Sequence, residues 1–403
     1  MFDGIGALRW VVTNPLGYNR SPEFEGVIRP AGDSQMSPTN RSSSTRSAAR
    51  GQASAGAGPP EPPAFVPPYA PSWVDQFTDW VERLPIPWWS FYVLLALGLS
   101  GAVALVLWRA GVYASFGFHP MQVWLPTLVA YLLGLTHALD RLAASALQRY
   151  RSAFRGGEAQ FAAALHRITV LPARPTLILT VGLTIATIPI AIWEFSYTQT
   201  GGLELVPALL PLLMGLVGLV SYPWLYRMLR QLREIHRLYR DHTEVRLTRV
   251  RPLYAFSRVT ALSAIGLVIN INGWFLAQPG QDPNNPVFLM EGSFNIALAL
   301  VVFAWPLWGA HRLLAEAKEE ALIGTAQRRE ALLAKLHSEI DDGQLDRVQQ
   351  LNQALIAIST VGTDQAKVST WPWAPGTLRG LLGTVFLPIG LWLIQRVLGS
   401  LLG

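Results

Sequence analysis

Five arginines with regular spacing are the first residues of the chain that suggest a chemical role. They are Arg227, Arg230, Arg233, Arg237 and Arg240. Steps of three or four residues place these side chains along one side of a helix. Guanidinium groups bind carboxylates and phosphates through paired hydrogen bonds, so the stripe suits anionic lipid headgroups or another anionic ligand. The simpler and favoured interpretation is that the arginines fix membrane orientation and pair with nearby acids. The acids available to them are Glu316, Glu319, Glu320 and Glu330.

Three asparagines are the polar exceptions within otherwise apolar stretches: Asn270, Asn272 and Asn295. Side-chain amides inside a membrane commonly form hydrogen bonds across a helix interface, and this is the preferred interpretation. The alternative is a polar path, in which Asn272 and Asn295 lie at similar depth and line an outer vestibule that attracts cations.

Catalytic motifs are scarce. The segment GLSG at 98–101 matches the GxSG of rhomboid-type intramembrane proteases, whose serine needs a histidine base. Ser100 is predicted near mid-membrane, whereas His137 and His311 are predicted near cytoplasmic helix ends, so we interpret GLSG as a helix-packing surface. The chain has no HExxH motif, no glycine-rich phosphate loop and no cysteine, which excludes disulfides and thiolate sites. We expect no enzyme, no bound metal and no cofactor.

The chain that carries these residues has the composition of a membrane protein. Hydrophobic residues make up 51% of it and charged residues only 14%, against about a quarter charged in soluble domains. A helix needs roughly 20 apolar residues at 1.5 Å each to cross the hydrocarbon core. We therefore predict an all-α polytopic fold with seven transmembrane helices. The seven runs are 88–108, 120–139, 176–193, 205–226, 259–277, 292–310 and 380–403.

Positive charge is distributed unevenly among the predicted loops. Residues 140–175 contain six arginines and residues 227–258 contain nine, whereas 194–204 and 278–291 contain no lysine or arginine. Basic loops stay in the cytoplasm. We therefore predict a cytoplasmic amino terminus, an outer carboxyl terminus and a multi-pass protein of the cytoplasmic membrane. The acids of the outer loops are Glu194, Glu204, Asp282 and Glu291.

The segment before the first crossing divides into two parts. Residues 1–70 are predicted to be a disordered cytoplasmic tail, because a composition of mainly small and polar residues cannot offset the entropy of ordering. Residues 71–87 predict an amphipathic helix at the inner membrane interface, with Ser72 and Asp75 forming its N-terminal cap. A cytosolic helix packed on the other loops is the alternative, because the acidic polar face gains nothing from anionic lipid.

After the six-helix region 88–310, residues 311–379 are predicted to form a cytosolic helical hairpin and a re-entry segment. The sixth crossing helix is expected to run on past His311 to a turn at Asp342 and Gly343. A second helix is predicted over 344–360, where apolar residues at near-heptad spacing indicate an antiparallel coiled-coil pair. We expect a second copy of the chain or another protein to bind through 311–360. The predicted re-entry segment leads from the hairpin into the last crossing. Its characteristic residues are two tryptophans, two prolines and an arginine: Trp371, Pro372, Trp373, Pro375 and Arg379.

The end of the chain carries a family resemblance. The segment STWPWAPGTLRGLL followed by LPIGLWLIQR, with DRVQQLNQALIAIST before it, resembles a set of uncharacterised bacterial polytopic membrane proteins with a TWPW-type segment before the last transmembrane helix. The resemblance covers only about the last sixty residues, from Asp346 onward. It implies a bacterial cytoplasmic membrane and no particular activity.

Three functions are compatible with these patterns. The leading expectation is a non-enzymatic membrane protein whose cytosolic hairpin and tail mediate assembly or signalling, with no nucleic-acid partner. The first alternative is a channel or passive transporter lined by Asn272 and Asn295. The second alternative is a membrane enzyme that acts on lipid at the arginine stripe, and it is disfavoured because no general acid, base or nucleophile accompanies the stripe.

Overall fold

The computed structural model describes residues 66–112, 120–195, 206, 209–277, 286–373, 376–383 and 386. Within these residues every regular element is a helix. The α-helices are α1 (Trp73–Glu82), α2 (Trp88–Arg109), α3 (Pro120–Tyr150), α4 (Glu158–Thr169), α5 (Ala173–Phe195), α6 (Leu209–Asp241), α7 (Ser257–Ala277), α8 (Pro286–Asp341) and α9 (Leu345–Lys367). Short 3-10 helices occur at Arg151–Ala153, Leu247–Arg249 and Arg251–Tyr254.

Five helices are long and apolar enough to cross a membrane. They correspond to α2, α3, α6, α7 and the part of α8 from Ile296 onward. The apolar part of α5, Ala173–Pro189, is shorter than these five helices and is not one of them. The predicted seventh run, 380–403, lies outside the described residues except for 380–383 and 386. The predicted tail 1–70 lies outside them up to residue 65.

Helix α3 lies at the centre of the bundle. It packs against α2, α4, α6 and α7, while α8 packs against both α6 and α7. Its apolar residues are buried on most sides, in contrast to α2, where many apolar side chains stay exposed. Exposed apolar side chains around a helix bundle are those expected to contact lipid, because lipid tails are as apolar as leucine. The described residues therefore form a bundle with α3 inside and α2 and α5 outside.

Aromatic side chains fasten the end of α3 to α6 and α7. The rings of Tyr150, Tyr239 and Phe256 contact one another, with centroids 5.3–5.8 Å apart. The Tyr239 hydroxyl donates to the Leu253 carbonyl oxygen at 2.6 Å. Such tilted and edge-to-face pairs add about 0.5–1.5 kcal/mol beyond the area that they bury. This cluster joins the end of α3 to α6 and to the residue that precedes α7.

Helices α6 and α8 both run on past their predicted crossing segments. Helix α6 continues without a break through the arginine stripe to Asp241, and α8 continues through Pro306 to Asp341, as the sequence predicts. Helix α9 is longer than predicted, because it extends to Lys367 rather than to residue 360. At 1.5 Å per residue, α8 beyond residue 310 measures about 45 Å and α9 about 35 Å.

Four stacked rings hold the segment that follows α9. His311 stacks on Trp371 at 4.0 Å, Trp371 on Trp373 at 4.5 Å, and Trp373 on Phe303 at 5.8 Å. His311 Nδ1 lies 3.1 Å from the Thr370 carbonyl oxygen. The returning chain is thus fixed to α8 at the level of His311, and residues 311–370, called the arm below, begin and end at the same place.

Candidate functional site

The most deeply buried charge in the described residues belongs to Arg227 of α6, whose side chain is 1% exposed. Its guanidinium pairs with the carboxylates of Asp75 on α1 and Asp140 on α3. It also donates to the Thr169 carbonyl oxygen at 2.9 Å. Three helices and the end of α4 therefore meet at one guanidinium group. A buried ion is tolerated only when it is paired and hydrogen-bonded, and this one is.

Asp75 has a local and a long-range role. As the sequence predicts, Ser72 and Asp75 form a capping box at the start of α1, with the Ser72 backbone N–H donating to Asp75 at 2.8 Å. The same carboxylate accepts the Leu171 backbone N–H at 3.0 Å. The residue that starts α1 is therefore also the residue that attaches α1 to the α4–α5 connection and to Arg227.

Asp140 is held by a second polar side chain of α6. Gln231, one turn beyond Arg227, donates its side-chain N–H to Asp140 at 3.0 Å and to the Ile168 carbonyl oxygen at 3.1 Å. The cluster contains two carboxylates and one guanidinium, so it carries excess negative charge when both acids are ionised. Among the described residues, Arg227 Nε and Gln231 Oε1 are buried without a hydrogen-bond partner.

A second attachment lies at the other end of α1. Glu82 accepts hydrogen bonds from His137 Nε2 at 3.1 Å and from Arg141 at 3.2 Å. The Tyr92 hydroxyl lies 3.1 Å from His137 Nδ1. Both ends of α1 are therefore attached to the bundle. Asp75 is buried, whereas Asp79 and Glu82 remain exposed.

The other arginines of the stripe have different environments. Arg230 is half-buried and donates to the Tyr69 hydroxyl at 2.5 Å and to the Arg167 carbonyl oxygen at 3.2 Å. Arg237 pairs with Glu234, and Arg240 with Asp241. Arg233, Arg237 and Arg240 are exposed. Among the described residues, no ion pair joins an arginine of the stripe to Glu316, Glu319, Glu320 or Glu330, the acids that the sequence suggested.

A surface pocket of about 280 Å³ lies beside this stripe. Its polar and charged lining residues are Arg167, Glu234, Arg237, Asp241 and His242. Glu234 accepts from Arg167 at 3.1 Å and from Arg237 at 3.3 Å. Because carboxylates already engage these guanidinium groups, the pocket does not offer a concentrated positive charge to an anion.

Burial shifts two titrating groups near Arg230. It raises the pKa of the Tyr69 phenol, although the neighbouring Arg230 acts in the opposite direction. It lowers the pKa of His166, whose ring lies 4.7 Å from that of Tyr69. Both effects follow from the cost of charging a group that has lost water. His166 is thus held neutral at neutral pH.

The asparagines of the alternative polar path are only partly described. The Asn272 amide donates to the Val268 carbonyl oxygen of its own helix at 2.8 Å. The adjacent Gly273 lies against the ring of Trp124. Asn270 is half-buried, and the side chain of Asn295 is not among those that the structure describes. One N–H of the Asn272 amide is therefore bonded within α7.

Ser100 of the GLSG segment lies beside a hydroxyl group. Its Oγ is 3.4 Å from Thr127 Oγ1 on α3. His137 is engaged by Tyr92 and Glu82, and His311 by Thr370. The part of the chain that the structure describes contains no group of three or more His, Asp or Glu side chains arranged to hold a metal ion.

Sequence reasoning identified Arg227 but missed its partners. Asp75 was assigned to an outward polar face, and Asp140 follows the predicted second crossing directly, where a charged residue is ordinary. The available signal was the acidic face of the 71–87 helix, which has no favourable interaction with an anionic membrane surface. That observation supported the alternative of a helix packed on the loops, and the buried Asp75 agrees with it.

The chain was compared with protein-family models, with curated proteins and with solved structures. None of the three comparisons gives a match.

Proposed function

We propose that the chain is a seven-span protein of the bacterial cytoplasmic membrane, with a cytoplasmic amino terminus, that acts without catalysis as an assembly component. In this proposal the arm extends into the cytoplasm and binds either a second copy or another protein. The observation that carries the proposal is the incomplete packing of the arm.

Polar contacts hold the two helices of the arm together near its base. Lys318 donates to the Ala366 and Val368 carbonyl oxygens at 2.6 and 3.0 Å. Thr325 donates to the Gln365 side chain at 2.9 Å. Helix α9 is therefore aligned against α8 in a fixed register.

The arm nevertheless has no interior. Between residues 315 and 367, none of the described side chains is fully buried. The apolar residues between the helices, such as Leu332, Leu336, Leu351 and Leu355, remain half-buried. Two helices alone cannot enclose an apolar seam, and stable bundles enclose it with a third or fourth helix. A further helix from a bound protein would complete the packing.

Helix α8 presents an additional apolar stripe to such a helix. Ala326, Leu333 and Ile340 follow one another at intervals of seven residues, the spacing of a coiled-coil seam. Ala326 and Ile340 are exposed, and Leu333 is half-buried. Arg328 and Lys335, also exposed, lie on another side of the same helix.

Site-directed crosslinking tests the proposal. Because the chain has no cysteine, single cysteines can be introduced at Ala326 or Ile340 and, as matched controls, at Arg328 or Lys335. Each variant is labelled with a benzophenone maleimide in membranes and irradiated. We expect products from the two stripe positions, with a mass increase of about one 44.3 kDa chain for a second copy or another discrete increase for a different protein.

The control positions decide whether the contact is specific. We expect at least several-fold less product from Arg328→Cys and Lys335→Cys. Equal yields from all four positions, or no product at any of them, would contradict an assembly role for this stripe.

A further inference from the structure

The charges of the Arg227 cluster do not balance, and the proposed assembly role makes no use of this. One guanidinium group pairs with the two carboxyl groups of Asp75 and Asp140. The side chains of Arg227 and Asp75 are almost fully buried, and a buried charge without a counterion is costly. Because Arg227 already binds both carboxyl groups, a proton is the cation that needs least room to neutralise the remaining negative charge.

The neighbours of Asp75 stabilise it as a carboxylate. Its Oδ2 accepts from the Ser72 backbone N–H at 2.8 Å, from the Ser72 hydroxyl at 2.7 Å and from the Leu171 backbone N–H at 3.0 Å. Its Oδ1 accepts from Arg227. A proton on either oxygen would displace one of these donors. Asp75 is therefore not the member of the cluster that binds the proton.

Asp140 has an oxygen that is available to a proton. Gln231 and Arg227 both donate to its Oδ1. Within the part of the chain that the structure describes, its Oδ2 takes part in no hydrogen bond. The Asp140 side chain is 16% exposed, twice the fraction of Asp75. Water can therefore deliver a proton to Asp140 and remove it again.

Other charges near Asp140 do not compensate a negative charge on it. Arg141 of the same helix donates to Glu82 at 3.2 Å, and Asp79 of α1 acts on Asp140 as a further negative charge. The charged and titratable groups on the helices packed around Asp140 include Asp75, Asp79 and Glu82 on α1, Tyr92 on α2, His137 and Arg141 on α3 itself, His166 and Arg167 on α4, Arg227 and Glu234 on α6, and Arg258 on α7.

We propose that Asp140 is a proton-binding site that makes the attachment of α1 to the bundle sensitive to pH. With a proton on Asp140 Oδ2, Arg227 and Asp75 form a matched ion pair. When the proton leaves, the cluster holds one negative charge in excess, and Asp140 competes with Asp75 for the guanidinium group. Since Asp75 is the residue that attaches α1 to Arg227, the attachment of α1 becomes weaker.

The direction of the pH effect follows from a count of protons. When α1 is detached, Asp140 is open to water, in which an aspartic acid loses its proton above about pH 4. The attached state therefore binds one proton more than the detached state. A rise in pH favours the state that binds fewer protons, by up to about tenfold in the equilibrium constant for each pH unit. The effect ends where the attached state has also lost its proton.

Cysteine labelling on α1 tests the proposal. Thr78 lies on the buried side of α1 and is 7% exposed, whereas Gln76 of the same helix is exposed. Thr78→Cys or Gln76→Cys is introduced into the full chain, which has no other cysteine, and reacted with N-ethylmaleimide in nanodiscs between about pH 6 and pH 8.5. The ratio of the two rates cancels the titration of the thiol itself. We expect this ratio to rise several-fold with pH.

Two background variants identify the group that titrates. Asp140→Asn keeps the size of the side chain and cannot ionise, so we expect the ratio to become independent of pH. His137→Gln is the matched control, because histidine side chains also titrate in this range and His137 pairs with Glu82; the rise with pH should persist. An equal rise in the Asp140→Asn background, or no rise without a background substitution, would overturn the proposal.

Infrared difference spectroscopy gives a second result that does not depend on the folding of any variant. The unsubstituted protein is compared between about pH 6 and pH 8.5, a range in which ordinary Asp and Glu side chains remain ionised. We expect the carbonyl stretch of a protonated carboxylic acid to disappear as the pH rises, and to be missing at both pH values in Asp140→Asn. If the unsubstituted protein shows no such band, the cluster binds no proton and the proposal is wrong.

Discussion

At the scale of single residues, Arg227 is the side chain whose loss we expect to cost most. Arg227→Met leaves Asp75 and Asp140 buried without their cation, and breaking a buried ion pair on one side costs about 3–5 kcal/mol. We expect a large fall in the melting temperature of the detergent-solubilised protein. Adding Asp75→Asn and Asp140→Asn to Arg227→Met should restore part of the loss, because the isolated buried charges are then removed.

Arg233→Met is the control for this prediction. Arg233 belongs to the same stripe but is exposed, and exposed substitutions usually change stability by no more than about 0.5 kcal/mol. Equal melting temperatures for the Arg227→Met and Arg233→Met variants would show that the buried cluster is not a main attachment of α1.

The same residues show what spacing can and cannot predict. Steps of three and four correctly placed the five arginines on one continuous helix, because helical periodicity is local. The burial of Arg227 beside Asp75 depends on how α1 folds back over α6, 152 residues away along the chain. No periodic pattern encodes a contact over that distance, so the difference between buried Arg227 and exposed Arg233 was not predictable.

At the scale of helices, the turn between α8 and α9 depends on one glycine. Gly343 has a φ of +71°, a left-handed conformation that costs other residues roughly 1–2 kcal/mol. We expect Gly343→Ala to destabilise the pairing of α9 with α8. Proteolysis of the arm in the membrane-embedded protein, followed by gel electrophoresis, measures this effect as faster cleavage.

Gly324→Ala provides a matched comparison with the opposite sign. Gly324 lies inside α8, and a Cβ atom there would meet nothing within 4 Å. Alanine favours a helix over glycine by up to about 1 kcal/mol, so cleavage should slow. Faster cleavage of the Gly324→Ala variant, or no change in the Gly343→Ala variant, would contradict this account of the arm.

Helix boundaries were less predictable than helix existence. The turn at Asp342 and Gly343 was predictable, because glycine tolerates a positive φ. The end of α9 was not, since residues 361–367 have no apolar periodicity and are helical because Gln365 and Ala366 receive hydrogen bonds from α8. Tertiary contacts, rather than local preference, extend that helix.

At the scale of the whole molecule, the predicted orientation is open to a direct test. A cysteine at exposed Lys335 should be protected from an impermeant maleimide in intact cells and react in inverted vesicles. A cysteine at Gln199, in a loop predicted to lie outside, should behave in the opposite way. Reaction of Lys335→Cys in intact cells would reverse the proposed topology and place the arm outside the cytoplasm.

Composition and the length of the apolar runs were sufficient to predict an all-helical fold with several helices long enough to cross a membrane. Both show directly which segments favour lipid over water, and a single segment in lipid must form its backbone hydrogen bonds within itself, as a helix does. Five of the predicted crossings correspond to helices of adequate length and hydropathy. The packing order around α3 was not accessible, since lipid-facing and protein-facing leucines look alike in a sequence.

The unbroken course of α8 has a mechanical consequence. The helix forms part of the bundle at one end and reaches the tip of the arm at the other, so both ends belong to one rod. If the membrane portion tilts by about 5°, the far end, some 45 Å away at 1.5 Å per residue, is displaced sideways by about 4 Å. A small rearrangement among the spans would therefore move the tip of the arm by more than an atomic diameter, at the surface where the proposed partner binds.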